Sequence, residues 1–283
     1  MARARDILTG WGLRPDDPGM ERRHLYLAGT DQERAEEFQR LYLDPEIRAL
    51  FCTRGGYGSG RMLNLLDRKR IAAAPPKPVI GFSDATALFA WLHWAARIDV
   101  VHGVSLAAPG ALTAPHAEQS LEALRNVLFE PRASLELQAQ LIHRPPAGMR
   151  AAVKGRLAGG NLAVLVTTLG TPWSIDTRNA ILFLEDTSEA PYRIDRMLTH
   201  LRTAGKLDSV RAVIFGYLRG CDSEPAGLLR EVLLDVFRDA PYPVAVGLSA
   251  GHGDPNYPLV LGREVSLAYR ADGASDSALL RMA

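Results

Sequence analysis

The first residue that offers chemistry is a serine where an apolar run meets a helix. Ile80-Gly81-Phe82-Ser83-Asp84-Ala85 reads as a strand that ends and a helix that begins at once. A hydroxyl on so sharp a turn projects from the end of a sheet. Gly81 and Ala85, two residues to either side, relieve crowding there, which is the steric logic of a nucleophile elbow. The usual G-x-S-x-G pattern fails at its last position, which is Ala, but the steric reason survives. Ser83 as a plain helix N-cap is the competing reading. A nucleophilic serine also needs a base and a group that orients the base. Ile181 to Leu184 form an apolar run that ends in Glu185-Asp186, and a carboxylate at a strand end is well placed to orient an imidazole. Asp186 and Glu189 compete with Glu185 for that role. His252 lies in the glycine-flanked stretch Gly247 to Asp254, where glycines let ring and backbone approach a partner closely.

Other chemistries fit less well. Arg54-Gly55-Gly56-Tyr57-Gly58-Ser59-Gly60 follows an apolar run and carries four glycines, a pattern whose N–H groups can cradle phosphate. A Walker loop requires Lys and then Ser or Thr after the last glycine, and the chain has Arg61-Met62. The spacing also fails the dinucleotide fingerprint. The same N–H groups suit an oxyanion. No second histidine stands at ligand spacing from His252, and no C-x-x-C pairs Cys52 with Cys221, so neither a metal site nor a redox motif is expected.

The elements that must hold these residues alternate in type. Thr30 to Leu43 carries Ala35, Phe38, Leu41 and Tyr42 at helical spacing, and Thr30 with Glu33 has the capping-box pattern. Strands are expected over Ile47 to Thr53 and Pro78 to Phe82, and helices over Arg61 to Arg68 and Ala85 to Ala96. Strand, tight turn and helix in repetition imply a parallel sheet with crossover helices. Pro131, Pro145, Pro146 and Gly148 break the periodicity, so a linker is expected over 131–152, between a unit at 1–130 and another at 153–283. Beyond it, helices are expected over Ala163 to Leu169, Tyr192 to Ala204 (with Gly205 at C′) and Leu228 to Arg238. Strands are expected over Ala180 to Leu184, Ala212 to Tyr217 and Val260 to Tyr269.

Bulk properties narrow the partners. With 33 basic and 32 acidic residues in 283, nothing in the charge draws the chain to nucleic acid or an anionic membrane. No apolar stretch approaches the ~18 residues of a membrane span, and Met1 to Gly10 lacks the apolar core of a signal peptide. The two cysteines read as reduced, partly buried thiols, in keeping with the cytoplasm.

Taken together, the segments resemble the LD-carboxypeptidases, or muramoyltetrapeptide carboxypeptidases. The resemblance rests on an ordered set. It runs from Arg54-Gly55-Gly56-Tyr57-Gly58 through Gly81-Phe82-Ser83-Asp84-Ala85-Thr86, His102-Gly103 and Gly159-Gly160-Asn161-Leu162. It continues with Leu184-Glu185-Asp186, Tyr192-Arg193-Ile194-Asp195-Arg196 and Gly251-His252. It implies an α/β protein with an N-terminal Rossmann-like parallel-sheet domain and a C-terminal swivelling β/β/α-type domain. It implies Ser83 as nucleophile, His252 as general base and Glu185 as its orienting acid, with no metal or organic cofactor. The substrate implied is a murein tetrapeptide that loses its terminal D-alanine. Family members are often dimers, and the sequence bears neither way on a homodimer. The backbone N–H groups of Asp84 and Gly56 are the expected oxyanion donors. Arg54 is the candidate for the substrate carboxylate, with a plain surface arginine as its alternative. Asn161 either contacts the peptide or locks the Gly159-Gly160 turn.

Two departures stand out. The family has a first strand and loop ahead of the helix to which Ala4 to Gly12 corresponds, so the sheet is expected to lack that strand or the true start to lie upstream. Val104 stands where the family usually has Pro after His-Gly, and His102 is read as structural. A relative that cleaves antibiotics of the microcin C type is the alternative within the family. The compact spacing, 102 residues from Ser83 to Glu185 and 67 from Glu185 to His252, favours the cell-wall peptidase. A nucleotide-binding α/β protein and a catalytically dead binding protein are the readings outside it.

Overall fold

Local sequence signals set several elements directly. In the computed structural model, which describes residues 2–16, 22–107, 110, 112–130, 134–145, 152–222, 226–270 and 276–282, helix α1 spans Ala2–Gly10 and α2 spans Asp31–Leu43. The capping box of α2 is formed: Thr30 Oγ1 accepts from Glu33 N at 3.2 Å, and Glu33 Oε2 accepts from Thr30 N at 2.8 Å. Strand β1 is short, Leu50–Phe51, although Cys52 N still donates to Ile80 O at 2.7 Å. The single helix expected over Arg61 to Arg68 is broken instead. Helix α3 covers Ser59–Met62, a 3₁₀ turn covers Leu63–Leu65, and α4 covers Arg68–Ala73. The restart has a cause, since Asp67 caps α4 by accepting from Arg70 N at 3.1 Å.

The first sheet is built from β1, β2 (Val79–Gly81), β3 (Val100–His102) and β9 (Leu259–Leu261), in the order β1-β2-β3-β9. The first three run parallel and β9 runs antiparallel to β3. Helix α5, Ala85–Ala96, crosses from β2 towards β3, and α6 spans Ala117–Phe129.

The second sheet closes into a barrel. Its strands are β4 (Leu135–His143), β5 (Ala152–Asn161), β6 (Ala180–Thr187), β7 (Ala212–Arg219), β8 (Val244–Val246), β10 (Glu264–Tyr269) and β11 (Ser277–Met282). The order is β10-β11-β4-β8-β7-β6-β5, with β5 to β8 parallel and β4, β10 and β11 antiparallel. Helices α7 (Leu162–Thr167), α8 (Pro191–Thr203) and α9 (Leu228–Val236) pack on its outside.

Two expectations need correction. Residues 135–143, read as part of a linker, form β4. Their alternating burial is that of a strand with one face on the barrel core, and the flanking prolines masked that period. Residues 131–133 and 146–151 of the expected linker lie outside the described residues. The single strand expected over Val260 to Tyr269 is two strands that belong to different sheets. Gly262, at φ +114°, makes the corner between β9 and β10, and a Cβ there would lie 2.1 Å from Asp99 Oδ1.

The mixed α/β architecture and its two sheets agree with the expectation. Their packing is continuous. Leu88 and Trp91 of α5 share one apolar cluster with Phe183 of β6, Leu248 and Leu259. Burial of side chains this size contributes roughly 1.5–3 kcal/mol each, so the two units are held together by a core and not only by surface contacts.

Asn161 joins the two sheets at a helix start. Its Oδ1 accepts from Val164 N at 3.0 Å and so caps α7, while its own N donates to Thr86 Oγ1 of α5 at 3.1 Å. Asn161→Ala is therefore expected to lower stability by about 1–2 kcal/mol. Urea denaturation checks it; an unchanged midpoint and slope would show that the cap contributes nothing.

Candidate active site

The chain reverses sharply between β2 and α5. Ser83 sits at the reversal with φ +59°, a left-handed conformation that few non-glycine residues adopt. The crowding argument made from sequence is met in detail. A Cβ on Gly81 would lie 2.8 Å from Cys52 Cβ and 3.0 Å from Ala85 Cβ, so anything larger at either position would force the turn apart. Ser83 does not act as the N-cap, a position held by Asp84 without a side-chain cap bond. The carboxylate of Asp84 turns instead to the glycine loop, accepting from Ser59 N at 2.8 Å and Ser59 Oγ at 2.7 Å. That pair of bonds fixes residues 55–58 over the serine. Gly55 comes so close that a Cβ on it would lie 3.1 Å from Ser83 Oγ. Asp84 N–H belongs to the first turn of α5, where backbone donors have no acceptor inside the helix. Gly56, in the same glycine loop as Gly55, has φ +127°.

Three carboxylates stood as rivals for the orienting acid, and the pleat of β6 separates two of them. Ile181 and Phe183 face the core shared with the first sheet, whereas Leu182 and Leu184 face α7 to α9. Alternation sends Glu185 to the first face and Asp186 to the second. Asp186 is fully engaged there, accepting from Asn161 Nδ2 at 3.1 Å, Ala163 N at 2.8 Å and Thr187 N at 2.8 Å. Glu189 pairs with Arg193 at 3.4 Å. Glu185 has 0% exposure and meets His252: its Oε2 accepts from Nδ1 at 2.6 Å and from the backbone N at 3.1 Å. A carboxylate can only accept, so Nδ1 carries the proton and Nε2 is left with a free lone pair.

The close approach of His252 depends on Gly251. At φ +103°, its backbone passes so near that a Cβ would lie 2.6 Å from Glu185 Oε2. The loop is tied down by Asn256, whose Oδ1 accepts from Gly251 N at 2.8 Å and whose N donates to Ser120 Oγ of α6 at 3.0 Å.

His102, read from sequence as structural, lies at the back of this pair. It is fully buried, with Nε2 3.9 Å from Glu185 Oε1, an electrostatic approach too long for a hydrogen bond. Phe82 and Phe183 pack edge-on against its ring, with centroids 6.1 and 5.2 Å away. Burial pushes the pKa of Glu185 up, but the imidazoles of His102 and His252 more than offset this and hold the carboxyl at about 2. The His102-Gly103 motif is visible in the sequence, but its closeness to Glu185 is not, because β3 is only three residues long and its partners are remote in sequence.

Phe82, which precedes Ser83, packs on His252, with ring centroids 4.7 Å apart. Ser83 Oγ and His252 are not hydrogen-bonded to each other in this structure, and such contacts commonly tighten only around substrate. Arg54 is exposed, which fits a carboxylate-binding arginine and a plain surface arginine alike. Asn161 has 4% exposure, and its side chain is committed to Val164 N and Asp186, so in this structure it locks the end of β5. Among the described residues, no group of three or more His, Cys, Asp or Glu is arranged to hold a metal ion, and no helix is long and apolar enough to cross a membrane.

Two outcomes follow from this geometry. Gly251→Ala should displace His252 from Glu185 and reduce turnover by about 10²-fold or more while the protein stays folded. Unchanged turnover, with circular dichroism matching the wild type, would separate the pair from activity. The second concerns pH. Glu185 has a folded pKa below its usual 4.5, so its contribution to stability is present above 4.5 and is lost as pH falls towards about 2. Urea midpoints taken from neutral pH down to about pH 3 should fall more for wild type than for Glu185→Gln. Parallel curves would show that Glu185 is not the depressed group.

Known proteins give this geometry a context. The LD-carboxypeptidase N-terminal domain family matches residues 1–103, and the LD-carboxypeptidase C-terminal domain family matches residues 154–267. The murein tetrapeptide carboxypeptidase of Pseudomonas aeruginosa is 32% identical over 252 residues, covering 88% of this chain and 81% of its own. The microcin C7 self-immunity protein MccF of Escherichia coli is 29% identical over 271 residues, covering 87% of this chain and 78% of its own. The crystal structure of muramoyltetrapeptide carboxypeptidase from Oxalobacter formigenes superposes with a TM-score of 0.84 at 26% identity, covering 99% of this chain and 92% of its own. With both domain families matched in order over most of its length, the chain belongs to the LD-carboxypeptidase family.

Proposed function

We propose that the protein is a serine carboxypeptidase that removes terminal D-alanine from murein tetrapeptides. The observation that carries this reading is the buried, ionised Glu185 bound to His252 Nδ1 at 2.6 Å, beside a serine held at φ +59°. The likeness to the murein tetrapeptide carboxypeptidase supports the substrate.

His252 Nε2 takes the proton of Ser83 Oγ as that oxygen attacks the carbonyl carbon of the L,D peptide bond. Glu185 keeps the imidazole in the tautomer with Nδ1 protonated and stabilises the imidazolium that forms. The carbonyl oxygen gains the negative charge, and the N–H groups of Asp84 and Gly56 receive it; losing one such donor typically costs ~3 kcal/mol of transition-state stabilisation. The C–N bond then breaks, the imidazolium protonates the departing amine, and D-alanine leaves. Water activated by His252 attacks the acyl-enzyme and releases tripeptide. Arg54 pairs with the free carboxylate that distinguishes a carboxypeptidase substrate. Asn161 acts one layer back, holding β5 and α7 beside that cleft. The product suits peptidoglycan recycling in the cytoplasm.

A second reading has one observation behind it, the 29% identity to the microcin C7 self-immunity protein. Both readings use the same nucleophile and differ in the leaving group.

The test is mass spectrometry of L-Ala-D-Glu-diaminopimelate-D-Ala incubated with wild type and with Ser83→Ala, both in EDTA. Wild type should release one alanine, and the variant should be slower on the order of 10³-fold or more. Equal release by the variant would remove Ser83 from the mechanism. Cleavage of an acyl-sulfamoyl adenylate with the tetrapeptide left intact would move the assignment to the second reading.

A further inference from the structure

A cavity of about 330 Å³ opens at the far end of α5 and includes none of Ser83, Glu185 or His252. The second half of α5 supplies one wall, and the middle of β5 with the stretch leading to β6 supplies the other. Its apolar lining includes Phe89, Trp94, Ile98, Leu165, Ile175 and Leu261. Its polar lining is uneven in charge: Arg97, Arg156, Arg178 and Lys206 face a single carboxylate, Asp176.

That carboxylate is already saturated. Arg178 holds it through Nε and Nη2, each at 2.9 Å, and Arg97 Nη1 lies 3.5 Å from it. The hydrogen bonds from Arg178 keep the Asp176 carboxyl well below the usual carboxylate range. The other cations make do with carbonyls. Arg156 Nη2 donates to Asp176 O, and Lys206 Nζ donates to Ile175 O at 2.8 Å. A second acid, Asp99, is not among the lining residues but adjoins Gly262, lies 3.9 Å from Arg263 and offsets part of the charge of Arg156. His93 adds no charge. Burial first, and then the guanidiniums of Arg156 and Arg97, press its pKa down to about 4, and Arg97 Nη1 donates to its Nε2 at 2.8 Å. At neutral pH the lining therefore carries four cations against one anion; the Arg97 and Arg178 side chains are mostly exposed, at 64% and 75%, whereas Arg156 and Lys206 are partly buried beside the apolar walls. Partly buried charges are stabilised by a counter-anion far more than charges on an open surface.

We infer that this cavity is a second ligand site, distinct from the triad, for a small organic anion: a carboxylate or phosphate group on a compact apolar or ring-bearing body. The oxyanion sits among Arg156, Lys206 and Arg97, which retain unused donors. The body lies against Trp94, Ile98 and Ile175. The volume is at the small end of the range for ligand pockets, which limits the body to about one ring. The site does not depend on which substrate the triad cleaves.

The test uses phenyl phosphate, benzoate, inorganic phosphate and neutral benzyl alcohol, titrated calorimetrically into the full chain at low salt. Phenyl phosphate and benzoate should bind saturably, inorganic phosphate more weakly, and benzyl alcohol not measurably. Arg156→Gln and Lys206→Met should each weaken phenyl phosphate roughly tenfold, the effect of one lost charge-assisted bond. Lys206 stands in a bend outside any helix or strand and is only partly buried, so its variant keeps the test valid if Arg156→Gln fails to fold. The His93 ring resonances, followed by NMR, should move towards the protonated form as the anion enters. Absence of saturable binding would overturn the proposal. Equal binding of benzyl alcohol, or binding that leaves both variants and the His93 resonances unaffected, would also overturn it.

Discussion

The structure is organised around one buried charge. Glu185 lies at the end of a central strand with no exposure to water, and an unpaired carboxylate in such a place would cost several kcal/mol. It is tolerated because His252 donates to one oxygen and His102 stands behind the other. Each of the three residues comes from a different part of the chain: the first sheet, the barrel, and the loop that leaves β8. Stabilising this charge therefore requires both sheets to be in place at once. Folding and assembly of the site are one event.

The scaffold shows how that requirement is met. The chain returns from the barrel to the first sheet through β9, which pairs with β3 over His102. It leaves again at Gly262, so a three-residue strand stitches the two units together on the side of the buried pair. Beside Glu185 in the barrel sheet, its strand partner Asn161 links α5, α7 and Asp186. An apolar core is shared by α5 and the barrel. A carboxylate and a serine that approach from different sheets are kept in register by apolar packing, which is stiff because interiors are close-packed.

Local strain is concentrated where reactivity is needed. Ser83 is held in the left-handed region, while Gly55, Gly81 and Gly251 let neighbouring backbone come within contact distances that no larger residue would allow. The same helix that starts at this strained turn ends at a basic cavity. The electrostatics at the two ends are opposite in kind. One end has an anion enclosed by imidazoles, and the other has cations with too few anions.

Much of the site could be read from sequence because its signals are local. The crowding around Ser83 is a matter of residues two positions away. The Thr30 capping box and the span of α5 from Ala85 to Ala96 are equally local, and they appear as expected. The residue pattern leaves Glu185, Asp186 and Glu189 as rivals beside His252, the family resemblance points to Glu185, and the pleat of β6 brings that carboxylate to His252 by sending its neighbour to the opposite face. The proximity of His102 to Glu185, the division of residues 259–269 between two sheets, and the strand hidden among the prolines near residue 140 were settled by pairing with remote partners. Sequence alone determined which residues can bend the chain, cap a helix or carry a proton. Tertiary structure decided which of them meet, because burial and strand pairing join residues that no local pattern relates.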